Sequence, residues 1–172
     1  YTDLCNEYPK AKIISADEID HYSFRLIEIG KLLAQEPIDL LLVPLRGGLT
    51  PSIQLRVINR LTYPVHTLGF TAGSQEKNWP AIIDRIVHIL ESYRDKQRLC
   101  IGIVDAAISG HGSFALAQIL KRVQPHFQGQ SWLVNFHLLY APTPYKTPVH
   151  AEGIPSLSET GTIFTTKFYE VP

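Results

Sequence analysis

Apolar positions along the chain change their period several times, and each change marks an element. Ile19, Tyr22, Leu26, Ile29 and Leu33 recur at helical spacing behind Ser15-Ala-Asp-Glu18, which has the Ser-x-x-Glu form of a capping box. A helix is predicted from about Asp17 to Gln35. Pro37-Ile-Asp-Leu then turns into Leu40-Leu-Leu-Val-Pro-Leu45, a continuous apolar run that reads as a buried strand, with Pro44 at its end. Thr50-Pro51 supplies an N-cap and a proline at the first helical position, so Pro51 to about Leu61 is predicted helical. Val65 to Phe70 is a third apolar run. Thr71 to Asn78 is polar and glycine-bearing, hence loop. A helix follows from Pro80, with Ile82, Ile83, Ile86, Leu90 and Tyr93 on one face, and Arg94 to Arg98 is a charged turn.

The same alternation continues to the end of the chain. Leu99 to Val104 is a nearly unbroken apolar strand, and a helix is predicted from Ser113 to about residue 124, before Pro125. Ser131 to Leu139 is another strong strand. Four prolines between Ala141 and Pro155 make that interval a loop, and Thr162 to Val171 is β-branched and aromatic enough to be a late strand. Apolar strands alternating with amphipathic helices predict one α/β domain with a mainly parallel central sheet and helices on both faces. Residues 38–139 form its core, and 141–172 a more variable C-terminal segment.

Composition narrows the function classes. The chain has 172 residues, with 16 basic and 16 acidic side chains. A formal charge of zero gives no electrostatic case for nucleic acid or an anionic membrane. No apolar run approaches a membrane span, and no signal peptide is visible. Cys5 and Cys100 are far apart, and Cys100 falls inside a predicted buried strand, so reduced thiols in a cytoplasmic protein are expected. The chain starts at Tyr1 and contains no Met, which makes a fragment of a longer protein the expectation. Association with itself or with a partner protein stays open.

Candidate chemistry concentrates at two strand ends. Asp105 stands at the carboxyl end of the Leu99–Val104 strand. Ser109-Gly110-His111-Gly112-Ser113 follows, small and flexible enough to wrap backbone N–H groups around an anion at a helix start, with Ser113 in position for an N-cap. A carboxylate beside an amide-lined loop suits a phosphorylated sugar, with hydroxyls on Asp105 and phosphate on the loop. Arg46-Gly47-Gly48 follows the Leu40–Leu45 strand. Glycines there bring amides close to a ligand, and Arg46 offers a bidentate phosphate contact. Open parallel sheets place ligands at the carboxyl ends of adjacent strands, where both loops are predicted to lie.

These residues resemble the ribose-phosphate binding motif of the type I phosphoribosyltransferases: an apolar strand, two acids, a few mostly apolar residues and a small phosphate loop at a helix start. Asp105 matches the first acid, and Ser109 to Ser113 match the loop in place and length. Ala106 stands where the family has a second acid, and Gly110-His111 replaces the more usual Thr-Gly pair. The resemblance implies that fold over roughly Ile38 to Leu139. It also implies binding of 5-phosphoribosyl diphosphate with magnesium, which is carried mainly by the ligand with few protein bonds, Asp105 being the one candidate. Arg46 with the Gly47 and Gly48 amides then serves the pyrophosphate, Asp105 the ribose hydroxyls, and Ser109, Gly110, His111, Gly112 and Ser113 the 5-phosphate. Lys77 and Trp79 are candidate lid residues, and Tyr140, Tyr145 and Tyr169 candidates to stack on an acceptor ring. Ser109 occupies a position where purine-salvage members often carry a catalytic Asp, which disfavours 6-oxopurine chemistry.

Rival motifs fare worse. Gly110-x-Gly112-x-x-Ala115 fits a dinucleotide fingerprint, but no Asp or Glu occurs between Ser113 and Glu152 to take the ribose. No Gly-Lys-Ser/Thr, Cys-x-x-Cys, His-x-His or Gly-x-Ser-x-Gly occurs. Two function classes remain: a transferase acting on a phosphoribosyl substrate, favoured by Asp105 and Arg-Gly-Gly, and a non-catalytic regulatory or effector module on the same fold, favoured by Ala106 and the altered loop.

Overall fold

The computed structural model describes residues 15–45, 48–59, 62–70, 78–107, 109–140 and 149–170. Helix α1 (Ala16–Gln35) leads into β1 (Leu40–Pro44), α2 (Leu49–Asn59) and β2 (Val65–Leu68). Helix α3 (Trp79–Leu90) precedes β3 (Arg98–Ala106), which is followed by α4 (His111–Val123) and β4 (Ser131–Tyr140). One helical turn, α5 (Val149–Glu152), and a 3-10 turn (Ile154–Leu157) come before β5 (Thr162–Glu170). The interval expected to be pure loop therefore carries two short turns among its described residues. Ala151 and Ile154 bury themselves in the core there, which a proline count does not reveal.

All five strands are parallel, in the order β2-β1-β3-β4-β5. Strand order reverses between β1 and β3, the switch point at which open α/β sheets bind ligands. Strand alternation divides the core in two. Leu40 and Leu42 of β1, Leu99, Ile101 and Ile103 of β3, and Val134, Phe136 and Leu138 of β4 face α3 and α4. Leu41, Val43 and Val104 turn to the opposite face, against Leu26, Ile29 and Leu33 of α1 and Leu55 of α2. Ile19, placed by its spacing on the apolar stripe of α1, is exposed, so the buried stripe begins at Tyr22. Helix α2 starts at Leu49, two residues before the predicted position. Pro51 still fits, because first-turn amides have no partner within the helix. Trp79, a candidate lid residue, is core: it is buried, with the Arg122 guanidinium 4.5 Å over its ring. Among the described residues, no helix is long and apolar enough to cross a membrane.

The face packed by α1 holds a polar network at β4 and β5. Glu36 Oε2 accepts from Asn135 Nδ2 at 3.0 Å and from His137 Nε2 at 3.2 Å, and Lys167 Nζ donates to Oε1. His137 is fully buried, and its Nδ1 lies 2.9 Å from the Tyr169 hydroxyl. A carboxylate only accepts, so Nε2 carries the proton. Tyr169 thus belongs to this network, with its ring stacked on that of His137 at 5.9 Å between centroids. Burial pushes the Glu36 carboxyl up, but the bonds from His137 and Lys167 outweigh it and hold the group at about 2.

The folded-state value of Glu36 lies below the ordinary 4.5. Its contribution to stability is therefore complete above about pH 4.5 and is lost as pH falls toward 2. Glu36→Gln is expected to lower stability by about 1–3 kcal/mol at neutral pH. It should also flatten the fall in melting temperature below pH 4.5, measured by thermal denaturation across that range.

Candidate functional site

Strands β1 and β3 are adjacent and parallel, with Leu40 opposite Ile101 and Leu42 opposite Ile103. The loops that leave their carboxyl ends therefore start side by side, as the motif reading expects. Arg46 and Gly47 lie outside the described residues, as do Ile108, Lys77 and Tyr145. Gly48 is described, and its surroundings require a glycine. A Cβ there would meet the Val104 carbonyl oxygen at 2.2 Å, so the turn after β1 rests directly on the backbone preceding Asp105. The Gly48 N–H donates to the Pro44 carbonyl at 2.9 Å. In this structure that amide, assigned above to pyrophosphate, closes the turn.

Asp105 is buried at the carboxyl end of β3, with 8% of its surface exposed. Its Oδ2 accepts the Ser113 hydroxyl at 3.0 Å, and the carboxylate also accepts the Ala106 N–H. Burial raises the carboxyl to about 6, against the lowering effect of these two bonds. Ala106, at the place of the missing second acid, is exposed, so a side chain there has room to reach a ligand.

Helix α4 begins at His111, with Gly110 as its N-cap in the left-handed region at φ 74°. Ser113 is therefore not the cap. The positive φ of Gly110 turns the chain into the helix earlier than side-chain capping would, which puts Ser113 in the first turn facing Asp105. Among the described residues, none accepts from the amides of His111, Gly112 or Ser113, and the positive end of the α4 dipole opens beside Asp105. Ser109 accepts from the His150 N–H at 3.2 Å, and the rings of His111 and His150 meet edge to face with centroids 5.3 Å apart. His150 is the residue at this loop that sequence reasoning missed. No spacing signal links positions 111 and 150, and the packing of α5 against α4 joins them.

The donor set does not fit a resident magnesium ion. Asp105 is a single carboxylate, already engaged by Ser113 and Ala106, and no group of three or more His, Cys, Asp or Glu that could hold a metal exists among the described residues.

Two substitutions test this geometry. Gly48→Ala should destabilise the fold by about 1–3 kcal/mol, as forced overpacking does, read by chemical denaturation. Asp105→Asn should stabilise it. The folded-state value of about 6 exceeds the ordinary 3.8, so Asp105 costs no stability below 3.8, costs progressively more as pH rises to 6, and carries a constant penalty above that. The gap corresponds to at most about 3 kcal/mol at neutral pH. Asn keeps an acceptor for Ser113, so the gain should appear at pH 8 and vanish below pH 4.

No family model matches the chain, and no curated protein matches it. Among solved structures, it is similar to a hypothetical protein from Neisseria gonorrhoeae with bound ppGpp, at 14% identity and a TM-score of 0.43, over 88% of this chain and 80% of that one. It is also similar to the Helicobacter pylori xanthine-guanine-hypoxanthine phosphoribosyltransferase, at 19% identity and a TM-score of 0.46, over 88% of this chain and 80% of that one. Both identities are too low to transfer the role of any residue.

Proposed function

We propose that this chain binds 5-phosphoribosyl diphosphate, or a related nucleotide or sugar phosphate, in the crevice between the carboxyl ends of β1 and β3. The observation that carries the reading is the Asp105–Ser113 pair: a buried carboxylate at a strand end, bonded to the first turn of a helix whose leading amides donate to no acceptor among the described residues. Phosphate is bound by the Gly110 to Ser113 turn, ribose hydroxyls by Asp105, and pyrophosphate by the Arg46-Gly47 side of the β1 loop. Magnesium enters with the diphosphate, which supplies hard oxygens beyond the single carboxylate of Asp105. Transfer of the phosphoribosyl group to a nitrogen acceptor is the enzymatic form of this reading.

A second reading, a regulatory or effector module that binds the ligand without turnover, is favoured by Ala106. One carboxylate bonded to Ser113 leaves the ribose with half of the family's acidic grip, so binding survives better than transition-state stabilisation.

Calorimetric titration of 5-phosphoribosyl diphosphate, with and without magnesium, tests the site. Loss of a charge-assisted bond to a ribose hydroxyl costs about 1.5–3 kcal/mol, so Asp105→Ala should weaken binding roughly ten- to a hundredfold. Ala106→Asp should strengthen magnesium-dependent binding by restoring the second acid. No heat from the wild type at millimolar ligand, unchanged in both variants, would sink the proposal. Pyrophosphate release on offering nucleobases and amines favours the transferase; binding without release favours the module.

A further inference from the structure

The two edge strands of the sheet differ in how much backbone they leave open. β2 spans only Val65–Leu68. β5 runs over 9 residues, paired with β4 in an unbroken register from Trp132 opposite Thr162 to Tyr140 opposite Glu170. In a parallel strand the N–H and C=O of one residue point to the same side, and successive residues alternate. The Trp132 N–H donates to the Gly161 carbonyl at 2.7 Å, so odd-numbered residues of β5 turn toward β4 and even-numbered ones toward the edge. Two of the even residues have partners. Thr162 exchanges both backbone bonds with Glu159, at 3.0 and 2.9 Å, and the Phe164 N–H donates to Ser158 Oγ at 2.9 Å. The turn at 158–161 therefore covers the first half of the edge. Beyond it, the outward N–H groups of Thr166, Phe168 and Glu170 meet no acceptor among the described residues.

An open edge invites another strand unless proline, a bulge or a free lysine blunts it. Thr165-Thr-Lys-Phe-Tyr-Glu170 contains no proline, no bulge interrupts its register, and the Lys167 ammonium is held by Glu36 of the same chain. Phe168 is 38% exposed, its ring edge to face with Tyr140 at 6.4 Å between centroids. We propose that this open half-edge pairs antiparallel with the same half-edge of a second copy of the chain, about a two-fold axis at Phe168. Phe168 then exchanges both backbone bonds with Phe168 of the second copy, and Thr166 does so with Glu170 of the second copy. Every outward N–H left open on β5 gains an acceptor. The segment is thus its own complement, which a two-fold interface requires. Charge selects this register. Lys167 stands opposite Tyr169, and Glu170 opposite Thr166. Centring the axis on Lys167 instead would set Lys167 directly against itself, which is repulsive, and would call on the Phe164 N–H that Ser158 already holds. At the axis the two Phe168 rings form an aromatic cross-strand pair, each beside its own Tyr140. The pairing is independent of the ribose-phosphate site at β1 and β3.

The contact is short for a permanent dimer, so a concentration-dependent equilibrium is expected. Sedimentation velocity of the full chain, from micromolar to near-millimolar concentration, should show monomer passing into dimer. Phe168→Lys places two like charges opposite each other at the axis and should weaken association about tenfold or more. Its melting temperature at dilute concentration should stay close to that of the wild type, since the side chain is exposed and its N–H takes no part in the β4 ladder. Cross-linking reads the register separately. In a Cys5→Ser background, Phe168→Cys should join two copies on mild oxidation, because residues directly opposite in an antiparallel pair have Cα atoms about 5.5 Å apart. Glu170→Cys should not, because its own counterpart lies far along the paired strand, out of disulfide reach. The proposal is overturned by a wild type that stays monomeric throughout, by a dimer that persists unchanged in Phe168→Lys, or by cross-linking at residue 170 as ready as at 168.

Discussion

The turn after β1 is pressed onto the backbone of β3, and the side chain that position 48 lacks is what allows the contact. A Cβ at Gly48 would stand 2.2 Å from the Val104 carbonyl, well inside any real contact distance. The approach joins the two central strands where their order in the sheet reverses, and so decides how near the β1 loop can come to Asp105. The surrounding packing holds that arrangement rigid. Leu40, Leu42, Ile101 and Ile103 are buried on one face of the sheet, and Leu41, Val43 and Val104 on the other. A slip of β1 against β3 by one residue would exchange these sets and expose both.

Burial of Asp105 follows from the same packing and carries an electrostatic cost. Its carboxyl is raised to about 6 although two hydrogen bonds act to lower it, so desolvation wins locally. A residue that spends stability in the empty fold is the kind that a bound ligand can repay, since ribose hydroxyls would add donors to the ionised form. Helix α4 takes part directly. Its Gly110 start aims at the crevice amides that no described residue accepts from, and its Ser113 steadies the carboxylate.

The opposite face of β4 and β5 solves a different electrostatic problem. Glu36, at the exit of α1, gathers His137, Asn135 and Lys167, and the balance there runs the other way, with bonds outweighing burial. The network ties the α1–β1 connection to β4 and β5. Half-buried Glu36 and buried Asp105 differ both in depth and in how many donors surround them.

Local pattern carried most of the architecture. The apolar runs at Leu40–Leu45, Leu99–Val104 and Ser131–Leu139 named the central strands, and the helical spacing of Tyr22, Leu26, Ile29 and Leu33 named the buried stripe of α1, because side-chain period is a property of neighbours in the chain. Asp105 and the loop at Ser109–Ser113 were legible for the same reason: strand end, small residues and helix start are contiguous. What the sequence could not express depends on separations of tens of residues. Gly48 against Val104, His150 beside His111, and Glu36 bonded to His137 are all tertiary juxtapositions. Short-range periodicity selects which residues face a core. Which charged and polar groups share a cleft is settled only when the strands take their order, since that order is a choice among sheet topologies that one pattern of strands and helices fits equally well.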